Sequence, residues 1–201
     1  FPLQVIVKRS ILTCFIGIIV LIFNYNNLIF YNTIGQAFFV NLTCIIGAFG
    51  LVFMIYAIKQ SSLNTFIHYS LVGSTVTATY LYLVEDIVPK NYALGISFIA
   101  LGFFIFLWKQ RNNIKVISFS THRYLFAMAL CFSANAIMQW YNLKTYDLVF
   151  LAVHQELVVL IVAGFMLYFL KQPLIPFFKL DYIPVMAFVV FIAIVLGMYG
   201  L

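Results

Sequence analysis

Long apolar runs broken by short polar stretches set the pattern of this chain. The runs fall near Ile11 to Phe30, Ala37 to Ile58, Phe66 to Val84, Tyr92 to Trp108, Tyr124 to Tyr141, Leu148 to Leu170 and Ile183 to Leu201. Most approach the ~20 apolar residues that a helix needs to cross a bilayer. They are apolar around much of a helical circumference and do not alternate over ~10 residues as barrel strands do. The pattern predicts an all-α, polytopic integral membrane protein with about seven transmembrane helices and short loops. A single transmembrane domain is expected over residues 1–201. The first run is the weakest, because Asn24, Tyr25, Asn26 and Asn27 interrupt it.

Composition supports that solvent. Hydrophobic residues make up 65% of the chain and charged residues 8%, more apolar surface than an aqueous fold of this size can hide. The first residue is Phe1, and no apolar leader with a small-residue cleavage site precedes the first run, so no signal peptide is expected. Abundant Phe, Ile, Tyr and Asn fit an AT-rich genome, hence an organelle, endosymbiont or low-GC bacterium. Cys14, Cys44 and Cys131 lie in apolar runs without CxxC spacing and read as packing residues. The sequon Asn41-Leu42-Thr43 lies inside a run and is expected to be fortuitous.

Eleven Lys and Arg face five Asp and Glu. In a membrane protein this excess reads as loop charge, not as a nucleic-acid surface. With seven crossings, one side collects Lys8, Arg9, Lys59, Lys109, Arg111, Lys115, Arg123, Lys171 and Lys179, and the other only Lys90 and Lys144. The positive-inside rule then puts the N-terminus on the cytoplasmic or matrix side of a bacterial or organellar inner membrane. A weak repeat relates residues 37–108 to 124–201. Tyr56-Ala57-Ile58-Lys59 and Tyr141-Asn142-Leu143-Lys144 each end a run. Each is followed by a polar turn, an apolar helix, a charged break and a Gly-containing helix. Such repeats are a recurrent way of building transporters, and helical hairpins in general also look alike.

The stretch Ala57-Ile58-Lys59-Gln60-Ser61-Ser62, Val84-Glu85-Asp86-Ile87, Ala93-Leu94-Gly95 and Ala100-Leu101-Gly102 resembles the drug/metabolite transporter superfamily (EamA-like). Phe1-Pro2 to Arg9-Ser10-Ile11-Leu12 is similar to the start of that family's second helix, and Leu143 to Leu201 to its second repeat. The resemblance implies a helical solute carrier, with Glu85 as the family's Glu and Gly95 and Gly102 as packing glycines. It also implies ten helices, three of which have no counterpart here. Lys171-Gln172-Pro173 replaces the second acidic break, and the charge-derived orientation is opposite to the family's.

Rare polar residues inside the runs are the candidates for chemistry. Glu156 lies well within its run beside His154 and Gln155. An ionisable group there costs ~2.5–3.5 kcal/mol on insertion scales, so it is expected to face protein, a cavity or a partner charge. It reads either as a proton-coupling or cation-binding carboxylate, or as a protonated Glu hydrogen-bonded between helices. His68 with Ser74, Thr77 and neighbouring hydroxyls lines a solute path or packs helices. Asn135 and Gln139, at i and i+4, form a second stripe. Trp140 and Tyr141 mark an interface. Arg123, Lys109 and Arg111 are candidate contacts to lipid headgroups or an anion.

Glu85 and Asp86 are adjacent, so they point to different faces and read as a loop cap rather than an acid/base pair. The scattered histidines offer no haem site, and no nucleophile, P-loop or metal motif occurs. No cofactor or metal is expected, and an enzyme is disfavoured. Two functions remain. One is an alternating-access carrier of a small solute. The other is a non-catalytic or proton-path subunit of a large, respiratory-type membrane complex. Their partners would be the lipid bilayer, with a small-molecule solute in the first case and other membrane subunits in the second; nucleic acid is not expected.

Overall fold

A computed structural model describes residues 2–23, 31–60, 63–85, 97–98, 100–102, 104–105, 108, 119–171 and 183–199. Six helices have their bounds in these segments: α1 (Pro2–Phe23), α2 (Ile34–Gln60), α3 (Leu63–Glu85), α4 (Phe119–Leu143), α5 (Leu148–Phe169) and α6 (Ile183–Tyr199). Residues 97, 98, 100–102, 104, 105 and 108, within the expected fourth span, are also helical. No strand occurs among the described residues. The chain is an all-helical, membrane-embedded protein. Among the described residues, three helices are long and apolar enough to cross a bilayer: Leu3–Phe23, Ile34–Ile58 and Leu148–Phe169.

The first helix corrects the sequence expectation. It begins at Pro2, not Ile11, and ends at Phe23. Proline suits a first helical turn, where its missing N–H has no intrahelical acceptor to lose. Lys8 and Arg9, expected in a loop, therefore lie inside α1 and are buried. Lys59 and Arg123, also expected in loops, likewise lie inside helices, α2 and α4. A charge close to the start of a chain reads as loop only when no helix precedes it. Here the apolar Val5-Ile6-Val7 belongs to the same helix as the charges.

The chain divides into two compact units, residues 1–48 with 138–201 and residues 49–137. In the first, α1, α5 and α6 pack on one another. Gly17 allows the close approach: a Cβ there would meet Val153 Cγ2 of α5 at 2.5 Å and Phe191 Cε2 of α6 at 3.2 Å. The α5 residues Ala152, Glu156, Val159, Ala163 and Leu167 recur at helical spacing and are buried, so a helix that is apolar over most of its circumference still has a protein-facing stripe. Asp147 caps its N-terminus, accepting from Val149 N at 2.8 Å and Phe150 N at 3.2 Å. Lys171, at φ 49°, ends the last turn in the left-handed region, and its N–H bonds Tyr168 O at 3.0 Å.

The second unit packs α3 on the first part of α4. Ser133 Oγ donates between Gly73 O at 2.8 Å and Ala129 O at 2.7 Å. Gly73 lets the two backbones come together, since a Cβ there would lie 3.1 Å from Ala129 O. Ala57, Tyr69, Leu125 and Met128 form its apolar centre.

Candidate functional site: a polar hub on α5

Three consecutive residues of α5 organise the polar interior of the first unit. Successive helical residues point about 100° apart, so His154, Gln155 and Glu156 face in three directions. Each meets a different part of the chain.

Glu156 meets α1. Its Oε1 accepts from Arg9 Nη1 at 3.1 Å, while Arg9 Nη2 donates to Ser10 Oγ at 3.0 Å. Thr13 Oγ1 lies 2.9 Å from Arg9 O and 3.4 Å from Ala187 O of α6, tying the three helices together. Glu156 is 1% exposed, Arg9 6% and Lys8 0%. The second carboxylate oxygen of Glu156, Oε2, is buried with no hydrogen-bond partner among the described residues. Arg9 lies about 9 Å along the helix from Leu3, the start of its membrane-crossing stretch, and Glu156 about 12 Å from Leu148. Both residues therefore lie within stretches long and apolar enough to cross a bilayer, where ionisable residues are costly and face the protein interior.

Gln155 meets α4. Gln139 Nε2 donates to Gln155 Oε1 at 2.8 Å, and Asn142 Nδ2 donates to Gln139 Oε1 at 3.2 Å and lies 3.3 Å from Thr43 Oγ1. The result is a ladder of uncharged groups, Thr43–Asn142–Gln139–Gln155, crossing from α2 through α4 to α5.

His154 meets the start of α2. Its Nδ1 lies 3.2 Å from Tyr31 Oη and its Nε2 3.3 Å from Asn41 Oδ1. Burial pushes the Tyr31 phenol well above its ordinary value of 10.0, with smaller contributions from Cys44 and Tyr146. Tyr31 is thus a neutral donor, His154 Nδ1 accepts, and the Nε2–H is left to donate to Asn41. Asn41 also donates to Ala37 O at 2.8 Å, so the sequon asparagine is engaged inside a helix.

Of the residues singled out from the sequence, Glu156, His154, Gln155 and Gln139 come together in this hub. His68, Ser74, Thr77 and Asn135 belong to the other unit. There Ser74 and Thr77 line a cavity of about 250 Å³ between α3 and α4. Both hydroxyls bond their own helix, Ser74 to Ser70 O at 3.3 Å and Thr77 to Gly73 O at 3.2 Å. Asn135 is buried and His68 half-buried. Arg123 is exposed on α4; Lys109 and Arg111 lie outside the described residues, as do Asp86 and Gly95. At the expected interface, Lys144 Nζ sits 3.4 Å above the Trp140 ring, a cation–π contact.

Sequence reasoning missed Arg9, Tyr31, Asn41 and Asn142. Arg9 stands between Lys8 and Ser10, a polar cluster that reads as loop although Val5-Ile6-Val7 and Ile11-Leu12 on either side are apolar. No protein-family model matches this chain, and no curated protein matches it.

Proposed function

We propose that this chain is a helical carrier that moves a small solute across a membrane by alternating access. The observation that supports it best is the buried Arg9–Glu156 pair with one carboxylate oxygen unbonded among the described residues. A buried ion pair contributes little net stability, because desolvating each ion costs several kcal/mol, roughly what the attraction returns. Charges kept in lipid at that cost mark solute or ion paths. The pair also joins α1 to α5, so a solute or ion that competes for either partner changes how two helices are held. The adjoining ladder, Thr43–Asn142–Gln139–Gln155, supplies uncharged hydrogen-bonding partners that reach α5 at Gln155, next to Glu156.

In this reading the chain crosses the membrane about seven times, with its N-terminus on the cytoplasmic or matrix side. Lys59, Lys109, Arg111, Lys115, Arg123, Lys171 and Lys179 on that side outnumber Lys90 and Lys144 on the other. The EamA-like motifs agree in the kind of activity, although their orientation is the reverse. The membrane is a bacterial or organellar inner membrane.

The test combines native mass with uptake. The purified chain is expected to run as a monomer or small homo-oligomer and to concentrate a solute into liposomes. Glu156→Gln is expected to reduce that uptake to the level of empty liposomes. A stable assembly many times the 23.1 kDa of the chain, containing other membrane subunits, would overturn the carrier reading in favour of a complex subunit.

A further inference from the structure

An arginine and a carboxylate can meet through two parallel hydrogen bonds, because the guanidinium fork matches the spacing of the two oxygens. Arg9 and Glu156 meet differently. Their contact runs through one arm of the fork, Nη1 to Oε1. Its 3.1 Å is longer than the ~2.7–2.9 Å of a tight charge-assisted bond. The other arm, Nη2, donates to Ser10 Oγ at 3.0 Å. The second carboxylate oxygen, Oε2, is buried with no hydrogen-bond partner among the described residues. The donor and the acceptor that would complete a two-armed pair are both present, and the Ser10 hydroxyl holds the donor.

The arrangement is enclosed: Ser10 is 0% exposed and Glu156 1%. A buried donor that loses its acceptor is costly, so Nη2 needs one of the two oxygens within the chain. Ser10 follows Arg9 on α1 and moves with it. With Nη2 satisfied on its own helix, the link from Arg9 across to α5 is a single hydrogen bond. A two-armed pair would place two bonds across the same boundary and hold it more tightly. Parting α1 from α5 is the movement that the carrier reading asks of this pair.

We infer that Ser10 is a positioning residue, which holds Arg9 Nη2 on α1 and so keeps the α1–α5 link to one arm and releasable. Its importance for transport rests on the carrier reading; its competition with Glu156 Oε2 for Nη2 does not. The test is a cycle on Ser10 and Glu156 in the full chain, read as unfolding equilibrium constants in SDS mixed micelles. Glu156→Gln keeps the shape of the side chain and one oxygen for Nη1, and replaces the other oxygen with an amide NH2 that cannot accept.

With Glu156 in place, Ser10→Ala lets Nη2 close on Oε2, and the unfolding constant is expected to stay within about threefold of wild type. In the Glu156→Gln background the same substitution strands Nη2 and is expected to raise the unfolding constant about tenfold, ~1.4 kcal/mol. An equal cost in both backgrounds, which a packing role of Ser10 gives, would overturn the inference. Release is read separately at Cys14, one turn further along α1, buried and within electrostatic reach of both Arg9 and Glu156. Its alkylation by N-ethylmaleimide in the folded chain in detergent, followed by peptide mass, is expected to slow several-fold in Ser10→Ala. An unchanged or faster rate would likewise overturn the inference. Neither measurement needs a solute. Assembly with other membrane subunits would therefore overturn the carrier reading and leave both measurements to decide the role of Ser10.

Discussion

Replacing Glu156 with leucine removes the anion from a buried pair and leaves the Arg9 guanidinium buried without that counter-charge. The lost attraction is bounded by Coulomb's law: at 3.1 Å and an effective dielectric of ~20 it is about 5 kcal/mol. Removing one member of a buried pair costs about 3–5 kcal/mol, since the remaining charge is uncompensated. Glu156→Leu and Arg9→Met are therefore each expected to lower the unfolding free energy by about 3–5 kcal/mol. The double replacement, which leaves no charge stranded, is expected to be neutral or to stabilise by about 1–4 kcal/mol. Unfolding by SDS in mixed micelles, followed through the two tryptophans, measures all four corners of the cycle. A double variant equal to the sum of the singles within about 0.5 kcal/mol would refute the reasoning, because the two charges would then not be compensating one another.

Other substitutions test the packing and the polar contacts. Gly17→Ala forces Val153 or Phe191 to give way and is expected to cost about 1–3 kcal/mol, seen as an earlier SDS midpoint. Ser133→Ala removes the hydroxyl shared between Gly73 and Ala129 and is expected to cost about 0.6 kcal/mol, with ~1.7 as a ceiling, in the same assay. The raised Tyr31 phenol gives a pH dependence with a definite sign. Its folded value lies above the ordinary 10.0, so the stability it contributes is complete below pH 10 and is lost as pH rises toward the folded value. Tyr31→Phe is expected to remove part of the alkaline loss of stability in thermal melts above pH 10; unchanged alkaline loss would place the effect on other tyrosines.

Much of the helical pattern was legible because apolar length alone writes it. The α5 helix was expected over Leu148 to Leu170 and runs Leu148–Phe169, with Asp147 and Lys171 closing its ends. For α2, Ala37 to Ile58 became Ile34–Gln60: Thr33 accepts from Gln36 N at 3.2 Å, so capping extends the helix past the last purely apolar turn. Glu156 was legible because a carboxylate deep in an apolar run costs too much to be incidental. Its partner was not, since Arg9 sits near the start of the chain, where charge is usually loop. Which neighbour each of His154, Gln155 and Glu156 meets depends on how helices distant in sequence are packed, and no local spacing encodes that.

The central claim is that Arg9 and Glu156 are kept for movement of a solute and not for stability. Uptake by proteoliposomes of the wild-type chain and of the Arg9→Met/Glu156→Leu double variant tests it most directly, because the double variant is expected to fold as well as the wild type. The account predicts concentrative uptake by the wild type and none above empty liposomes by the stable double variant. Uptake by the double variant at the wild-type rate would contradict it.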